Sequence, residues 1–448
     1  MHRLRLFPRP RRLAFVALLL AAAAPAAKPE PAALRASVAA LVGFGTRHTL
    51  STTTDPNRGI GAARRWTAAR FAAIARDCGG CLAVETIGRD FTGPRAPGGV
   101  RVEDVIAIQR GHGDAARVVI VQAHIDSRVN DVMDATTDAP GANDDASGVA
   151  LVLEAARLLS RERFAGTIVY AALSGEEQGL WGGELLARTA RARGWQVAAV
   201  LNNDIVGNTH GIGGEHVDDR VRVFSEGIGS AGDIEAAARA QRAIGGEDDG
   251  PSRALAKAVR DVAAAEPAIG IEVLAIRRPD RFQRGGDHLP FLAAGYPAVR
   301  FTEATENYDR QHQTVRTEQG RRYGDTIAFV DFPYLARVTA LNVAVLRRLA
   351  AAPAAPACAT IEGALSDDTQ VRWTPVPGAA GYRVRWRRAD GAAWTDSRDL
   401  PAGATAADLV RVNIDDHFFG VAALAANGAE SLVTFAGAVP RPAPGSVR

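Results

Sequence analysis

The chain has 448 residues, room for two or three domains, and at 47% hydrophobic and 23% charged it has an ordinary globular composition. Its net charge of +3 comes from five arginines in the first twelve residues (Arg3, Arg5, Arg9, Arg11 and Arg12). Setting those five aside leaves 48 of the 53 basic residues against 50 acidic ones, which excludes a basic face for nucleic acid.

Those arginines precede an apolar run, Leu13 to Ala24, and then Ala24-Pro25-Ala26-Ala27. A basic start, a short apolar core and small residues at a cleavage site predict a signal peptide over 1–26. The run is too short for roughly 30 Å of hydrocarbon, so a secreted or periplasmic protein with no span after cleavage is expected. Residues 28–57 open with a helix-like Ala/Leu stretch, and Gly59 to Arg76 reads as a helix. Cys78 and Cys81 form a C-x-x-C without a second pair, which predicts a small local disulfide; Cys358 is left over and expected to be inert.

From Val100 strand and helix patterns alternate. Val118-Val119-Ile120-Val121 is a continuous apolar run, as in a strand buried on both faces. Helical spacing of Val149, Val152, Leu153, Ala156 and Leu159 follows, with Ser147 as the expected N-cap. Strands over Thr167–Leu173 and Ala198–Leu201 flank a helix over Leu180–Ala192, and a last helix runs from about Phe332 to Ala350. The predicted fold class is α/β, a mixed and mostly parallel twisted sheet with helices on both faces, followed by a small all-β sandwich. The predicted divisions are 28–350 for the α/β part, an Ala/Pro linker over 351–357, the sandwich over 358–440 and a tail over 441–448. In the sandwich, Tyr382, Val384 and Trp386 alternate with Arg383, Arg385 and Arg387, which predicts a strand with one wet, arginine-bearing face.

The chemistry lies in five segments just after apolar runs: Ala-His-Ile-Asp (123–126), Gly-Ala-Asn-Asp-Asp-Ala-Ser-Gly (141–148), Ser-Gly-Glu-Glu-Gln-Gly (174–179), Asn-Asn-Asp (202–204) and Arg-Gln-His-Gln (310–313). The carboxyl edge of an open α/β sheet is where such positions converge. Two imidazoles and three carboxylates suit two divalent ions that share one bridging carboxylate. Adjacent Glu176 and Glu177 point apart, so that one can bind metal while the other takes a proton from water.

In that order and spacing the segments resemble the co-catalytic zinc aminopeptidases of clan MH, the family twenty-eight metallopeptidases. The resemblance implies His124, Asp144, Glu177, Asp204 and His312 as ligands of two divalent ions, zinc being the expected metal, with Asp144 bridging. It implies Glu176 as general base, Asp126 as the orienter of His124, and a cis peptide after Asp144. Several members carry a tyrosine beside the last histidine that stabilises the oxyanion; here that position is Gln311, and Tyr308 is the candidate substitute. His288 is expected to be a pocket or supporting residue, and no partner is evident for His48, His112, His210, His216 or His417. The C-terminal segment, on Trp373…Tyr382 and Val421…Ser431, resembles a fibronectin type III sandwich, expected to attach the enzyme to a surface or polymer.

The activity implied is removal of N-terminal residues from peptides or proteins. One alternative is a carboxypeptidase or dipeptidase on the same fold, with Arg300 or Arg316 receiving the substrate carboxylate. Another is an inactive binding protein, which would have lost ligands or the base.

Overall fold

The structure, a computed structural model, describes residues 28–437; the predicted signal peptide (1–26) and tail (441–448) lie outside them. The eight strands of the main sheet are β1 (Ala83–Gly93), β2 (Ala96–Gln109), β3 (Asp114–His124), β4 (Gly166–Leu173), β5 (Gln196–Asn203), β6 (Arg220–Phe224), β7 (Glu272–Ile276) and β8 (Ala298–Glu303). They run in the order β1-β2-β4-β3-β5-β8-β6-β7. The centre, β4-β3-β5-β8, is parallel, whereas β1 and β2 pair antiparallel on one side and β6 pairs antiparallel to β8 on the other, with the edge strand β7 parallel to β6. The mixed sheet expected from the alternating pattern is the one observed.

Successive residues of the central strands feed opposite faces, as the period of two requires. Val119 and Val121 of β3 face a core built with the helices Pro31–Val42 (α1), Gly59–Asp77 (α2), Ala146–Leu159 (α3) and Phe332–Ala351 (α9). Val118 and Ile120 face a smaller core with Trp181–Ala192 (α5) and Leu289–Ala293 (α8). The remaining helices are Glu176–Gly179 (α4), Ile234–Ala243 (α6) and Pro251–Ala265 (α7). The helix expected over Leu180–Ala192 is observed as α5, and Leu180, at φ 59°, separates it from the short turn α4, so the Glu176–Glu177 turn stands apart from the longer helix. The N-cap of α3 is Asp145, which accepts from Gly148 N (3.0 Å); the expected cap, Ser147, instead donates to Asn143 O (2.7 Å). Cys78 and Cys81 form a disulfide, and Cys358 is free. Among the described residues no helix is long and apolar enough to cross a membrane.

A two-stranded ribbon, β9 (Arg316–Glu318) with β10 (Arg321–Tyr323), precedes α9. Beyond it lie β11 (Ala359–Glu362), β12 (Thr369–Trp373), β13 (Gly381–Arg388), β14 (Asp396–Pro401), β15 (Ala406–Leu409), β16 (His417–Leu424) and β17 (Thr434–Phe435). They make antiparallel sheets β11-β12-β15 and β14-β13-β16-β17, whose inner faces share one core. The arginine face of β13 is not wet. Arg387 is 2% exposed and meets Asp249 at 2.7 Å, while Arg383 and Arg385 grip Glu430. Alternation told inside from outside of the sandwich, but its outside is covered by the rest of the chain.

Candidate metal centre

Three parallel strands end side by side and aim the site's side chains over one edge. His124 is the last residue of β3, opposite Leu173 of β4, and Gln122 of β3 lies opposite Asn202 near the end of β5. The turns leaving β4 and β5 carry Glu176-Glu177 and Asp204, and the loop after β8 carries His312. Two ligand groups form: His124, Asp144 and Asp204, and Asp144, Glu177 and His312. Asp144 belongs to both. Its Oδ1 lies 3.2 Å from His124 Nε2, and its Oδ2 lies 2.9 Å from His312 Nε2. Asp204 Oδ1 is 3.8 Å from His124 Nε2, and Glu177 Oε1 is 3.1 Å from His312 Nε2. The peptide bond Asp144–Asp145 is cis.

The donor set fits divalent cations. His124 Nε2, Glu177 Oε1 and His312 Nε2 are buried without a hydrogen-bond partner among the described residues, and they are the atoms that face into the groups. A buried polar atom left unpaired is costly, and ligation would satisfy all three. The field agrees. Burial opposes charge on His124, yet the carboxylates of Asp126, Asp144 and Asp204 hold its pKa well above the ordinary value. Burial likewise opposes charge on His312, but Glu177 and Asp144 raise its pKa to about 9. Burial raises Asp144, and the two histidines outweigh it and push its pKa well below normal. Carboxylates that keep two buried imidazoles protonated make a potential in which metal cations displace those protons.

Asp126, fully buried, ties two of the segments together. It accepts from Thr49 Oγ1 (2.8 Å), from Glu177 N (3.1 Å) and from Glu176 N (3.4 Å). Its carboxylate is 3.5 Å from His124 Nδ1, but its backbone carbonyl is closer, at 3.0 Å. Asp126, the expected orienter, thus touches His124 through main chain and side chain and also accepts from the Glu176–Glu177 turn. Glu176 stays partly accessible. Burial raises its pKa well above the usual carboxylate range, with Asp204 and Glu177 adding to the rise and His124 opposing it. A carboxylate raised in this way is a stronger proton acceptor than an ordinary glutamate.

Tyr308 is not gathered in: it is 55% exposed, whereas Gln311 donates to Asp144 Oδ2 at 3.2 Å. His288 is buried against Pro279 O (2.7 Å), and burial lowers its pKa to about 4, so it sits neutral behind the site. Several supporting residues escaped the sequence reading. Asp325 accepts from Asn143 N (2.9 Å) and Asp144 N (2.7 Å) and so holds the backbone of the bridging residue. Arg47 donates to the carbonyls of Ile125 (2.6 Å) and Gly141 (2.9 Å), clamping two ligand loops. Arg128 donates to Glu177 Oε2 (2.7 Å) and lies 2.5 Å from His312 Nδ1, and Arg300 pairs with Asp204 (2.9 Å). His48 contacts Val132 O (3.0 Å) and Gln178 Nε2 (2.9 Å), and His210 stacks on His216, so these histidines do have partners. The one available signal was the polar run Thr46-Arg47-His48-Thr49 just after an apolar helix.

A mixed α/β sheet whose carboxyl edge carries two ligand groups joined at one aspartate defines a metal-binding α/β protein. Residues 104–330 match Peptidase family M28. The chain is 44% identical over 404 residues to a probable zinc metalloprotease of Leptosphaeria maculans, covering 89% of this chain and 92% of that one. It is also 44% identical over 414 residues to a probable zinc metalloprotease of Pyricularia oryzae, covering 90% and 82%. The chain belongs to peptidase family M28, a zinc metalloprotease family. Among solved structures, the Legionella pneumophila LapA aminopeptidase superposes with TM-score 0.52 at 17% identity, over 72% of this chain and 70% of that one. A Fimbriiglobus ruber glutaminyl cyclase does so with TM-score 0.51 at 17% identity, over 76% and 99%. At that identity both share the fold, which hosts more than one chemistry.

Proposed function

We propose that the chain is an exported aminopeptidase that binds two divalent ions, zinc in the first instance, and releases N-terminal residues from peptides. The observation that carries this reading is Asp144, whose two oxygens face two separate histidines in two separate ligand groups. His124, Asp144 and Asp204 would hold one ion, and Asp144, Glu177 and His312 the other. Bound there, the ions supply Lewis acidity that makes water nucleophilic at neutral pH and polarises the scissile carbonyl. Glu176 accepts the proton from the attacking water and returns it to the leaving amine nitrogen. Asp126 keeps His124 and the Glu176–Glu177 turn in register while this happens.

The disposition of the arginines favours an aminopeptidase over a carboxypeptidase. Arg300 is 1% exposed and already paired with Asp204 and Asp280, so its guanidinium is not free for a substrate carboxylate, and Arg316 pairs with Glu318 at the surface. Sequence and strand arrangement support a fibronectin-like sandwich: seven strands in sheets of three and four around Trp373 and Tyr382. Its role as a surface or polymer attachment element belongs to the same proposal, as does export, which rests on the Arg-rich start and the Leu13–Ala24 run. The test is amino-acid release from a panel of dipeptide amides, with and without chelator, beside the N-acetylated forms. Cleavage of the acetylated peptides at equal rate would rule out the aminopeptidase reading.

A further inference from the structure

A second polar cavity, of about 60 Å³, lies away from the metal centre, where α7 meets the C-terminal sandwich. Arg253, Lys257 and Arg260 enter it from one face of α7, at a spacing of four and then three residues. Arg277 comes from just beyond β7, Ser225 from just beyond β6, and Ala392 from the turn between β13 and β14. One water needs roughly 10–15 Å³ by this measure, so the space suits several waters or one four-oxygen ion. We propose that this cavity binds a small tetrahedral dianion, of the sulfate or phosphate class, and holds it between the peptidase sheet and the sandwich.

Charge and hydrogen bonding both point to an anion. Four cationic side chains line the cavity and one carboxylate, Asp248, joins them. Asp248 is shared by Arg277 (3.2 Å), Lys257 (3.4 Å) and Arg253 (3.7 Å). Asp249 is shared by Lys257 (2.6 Å) and Arg387 (2.7 Å), and Arg260 reaches only Asp261, at 3.9 Å. Glu226 also faces Arg253, so five cations meet four carboxylates, a surplus of one positive charge. Burial lowers the pKa of Lys257, and Arg387 adds to the lowering against Asp249. Arg253 supplies the independent observation. It is 7% exposed; its Nη1 donates to Ser225 Oγ (2.8 Å) and Ile276 O (2.9 Å), while its buried Nε makes no hydrogen bond among the described residues and has Asp248 Oδ1 3.7 Å away, beyond hydrogen-bond reach. An anion oxygen would give that donor a hydrogen-bond acceptor and offset the positive surplus. The sandwich closes the far side: Trp394 lies against Lys257 and Arg387, with its ring centre 5.7 Å and 4.6 Å from their charged groups.

The probe is inorganic sulfate on the full chain, because sulfate competes less than phosphate for a zinc centre. Titration calorimetry and thermal unfolding are run in sulfate up to about 10 mM against chloride at equal ionic strength, below the range where sulfate stabilises by exclusion. The expected result is saturable binding of one sulfate per chain, with a Tm rise of about 3–5 °C at hundred-fold excess over Kd. Arg277→Gln, at a side chain 63% exposed, should weaken binding about ten-fold and leave Tm in chloride unchanged; Arg253→Gln should abolish it. Equal Tm in sulfate and chloride with no saturable heat overturns the proposal. So does sulfate affinity that is the same in wild type, Arg277→Gln and Arg260→Gln, which would place the ion elsewhere.

Discussion

Replacing Asp144 by alanine is expected to empty both metal positions at once. Each ligand group has three members, and among the described residues Asp144 alone belongs to both. The substitution leaves His124 with Asp204 on one side and Glu177 with His312 on the other. A four-ligand structural zinc site is worth about 10–16 kcal/mol, or roughly 3–4 kcal/mol per ligand. Losing one ligand should therefore weaken each site by about 10²–10³-fold. The backbone around residue 144 should persist, because Asp325 binds the main-chain nitrogens of Asn143 and Asp144 rather than the lost side chain. The assay is metal content by mass spectrometry after dialysis, with circular dichroism to confirm folding. Asp204→Ala, which touches one group only, is the comparison: one ion should remain. A folded Asp144→Ala protein that retains one tightly held ion would refute the bridging role.

Glu176→Gln should keep its metals, since Glu176 belongs to neither ligand group, and lose at least about 10²-fold in kcat; near-normal turnover of dipeptide amides would remove Glu176 from the mechanism. Glu306, clamped by Arg222 (2.7 Å), Arg281 (3.2 Å) and Arg284 (2.7 Å), sets an acid limit on stability. Burial raises its pKa, but these arginines bring it down to about 2. A depressed carboxylate stabilises above its unfolded value and loses that contribution as pH falls, here between about 4.5 and 2. Glu306→Gln should cost about 3 kcal/mol at pH 7 and flatten that part of the pH profile in urea unfolding. An unchanged profile would show that the cluster is not a stabilising one.

Of the candidate ligands, His124, Glu177 and Asp204 could be read in the sequence because each sits within a few residues of the end of a buried strand, and a strand end fixes both position and direction; Asp144 and His312 lie in longer loops and depend on the family motif. His124 after Val118–Val121 and Glu176-Glu177 after Thr167–Leu173 are legible for that reason. The residues that aim the ligands were not, because they arrive from segments far along the chain. Thr49 reaches Asp126 across 77 positions and Asp325 reaches Asp144 across 181. Spacing carries no trace of such pairs. Nearness along the chain does not carry Tyr308 into the site: the turn that delivers Gln311 onto Asp144 leaves Tyr308 exposed to solvent. The Asp145 cap and the break at Leu180 are local events, yet tertiary demands set them. Asp145 also accepts from His124 N (3.2 Å), so capping and strand-end fixation are one function.

The Ala/Pro linker over 351–357 predicts a boundary crossed by few contacts, so that a stop after Ala352 would leave a folded, active peptidase. The structure argues for a different outcome. Leu432 packs into the main core of the α/β part, and Phe418 and Phe435 cover Gly245 and Gly246. Gly245 has φ 65°, and a Cβ there would come within 3.0 Å of the Phe418 ring, so the two surfaces are in close contact. Asp249 is 8% exposed and shares its charge between Lys257 and Arg387. Removing one partner of such a buried pair costs about 3–5 kcal/mol, with the low end expected here because Lys257 remains. Arg387→Ala in the full chain should therefore lower Tm by about 3–5 °C, and the truncation by at least as much. Every metal ligand and Glu176 lie before residue 313. Molecules that stay folded should thus keep a similar kcat on dipeptide amides, and the loss should appear in thermal and urea unfolding. A truncated chain with an unchanged Tm would show that the interface contributes nothing. A folded truncated chain with no activity on dipeptide amides would show instead that the sandwich helps to build the active site.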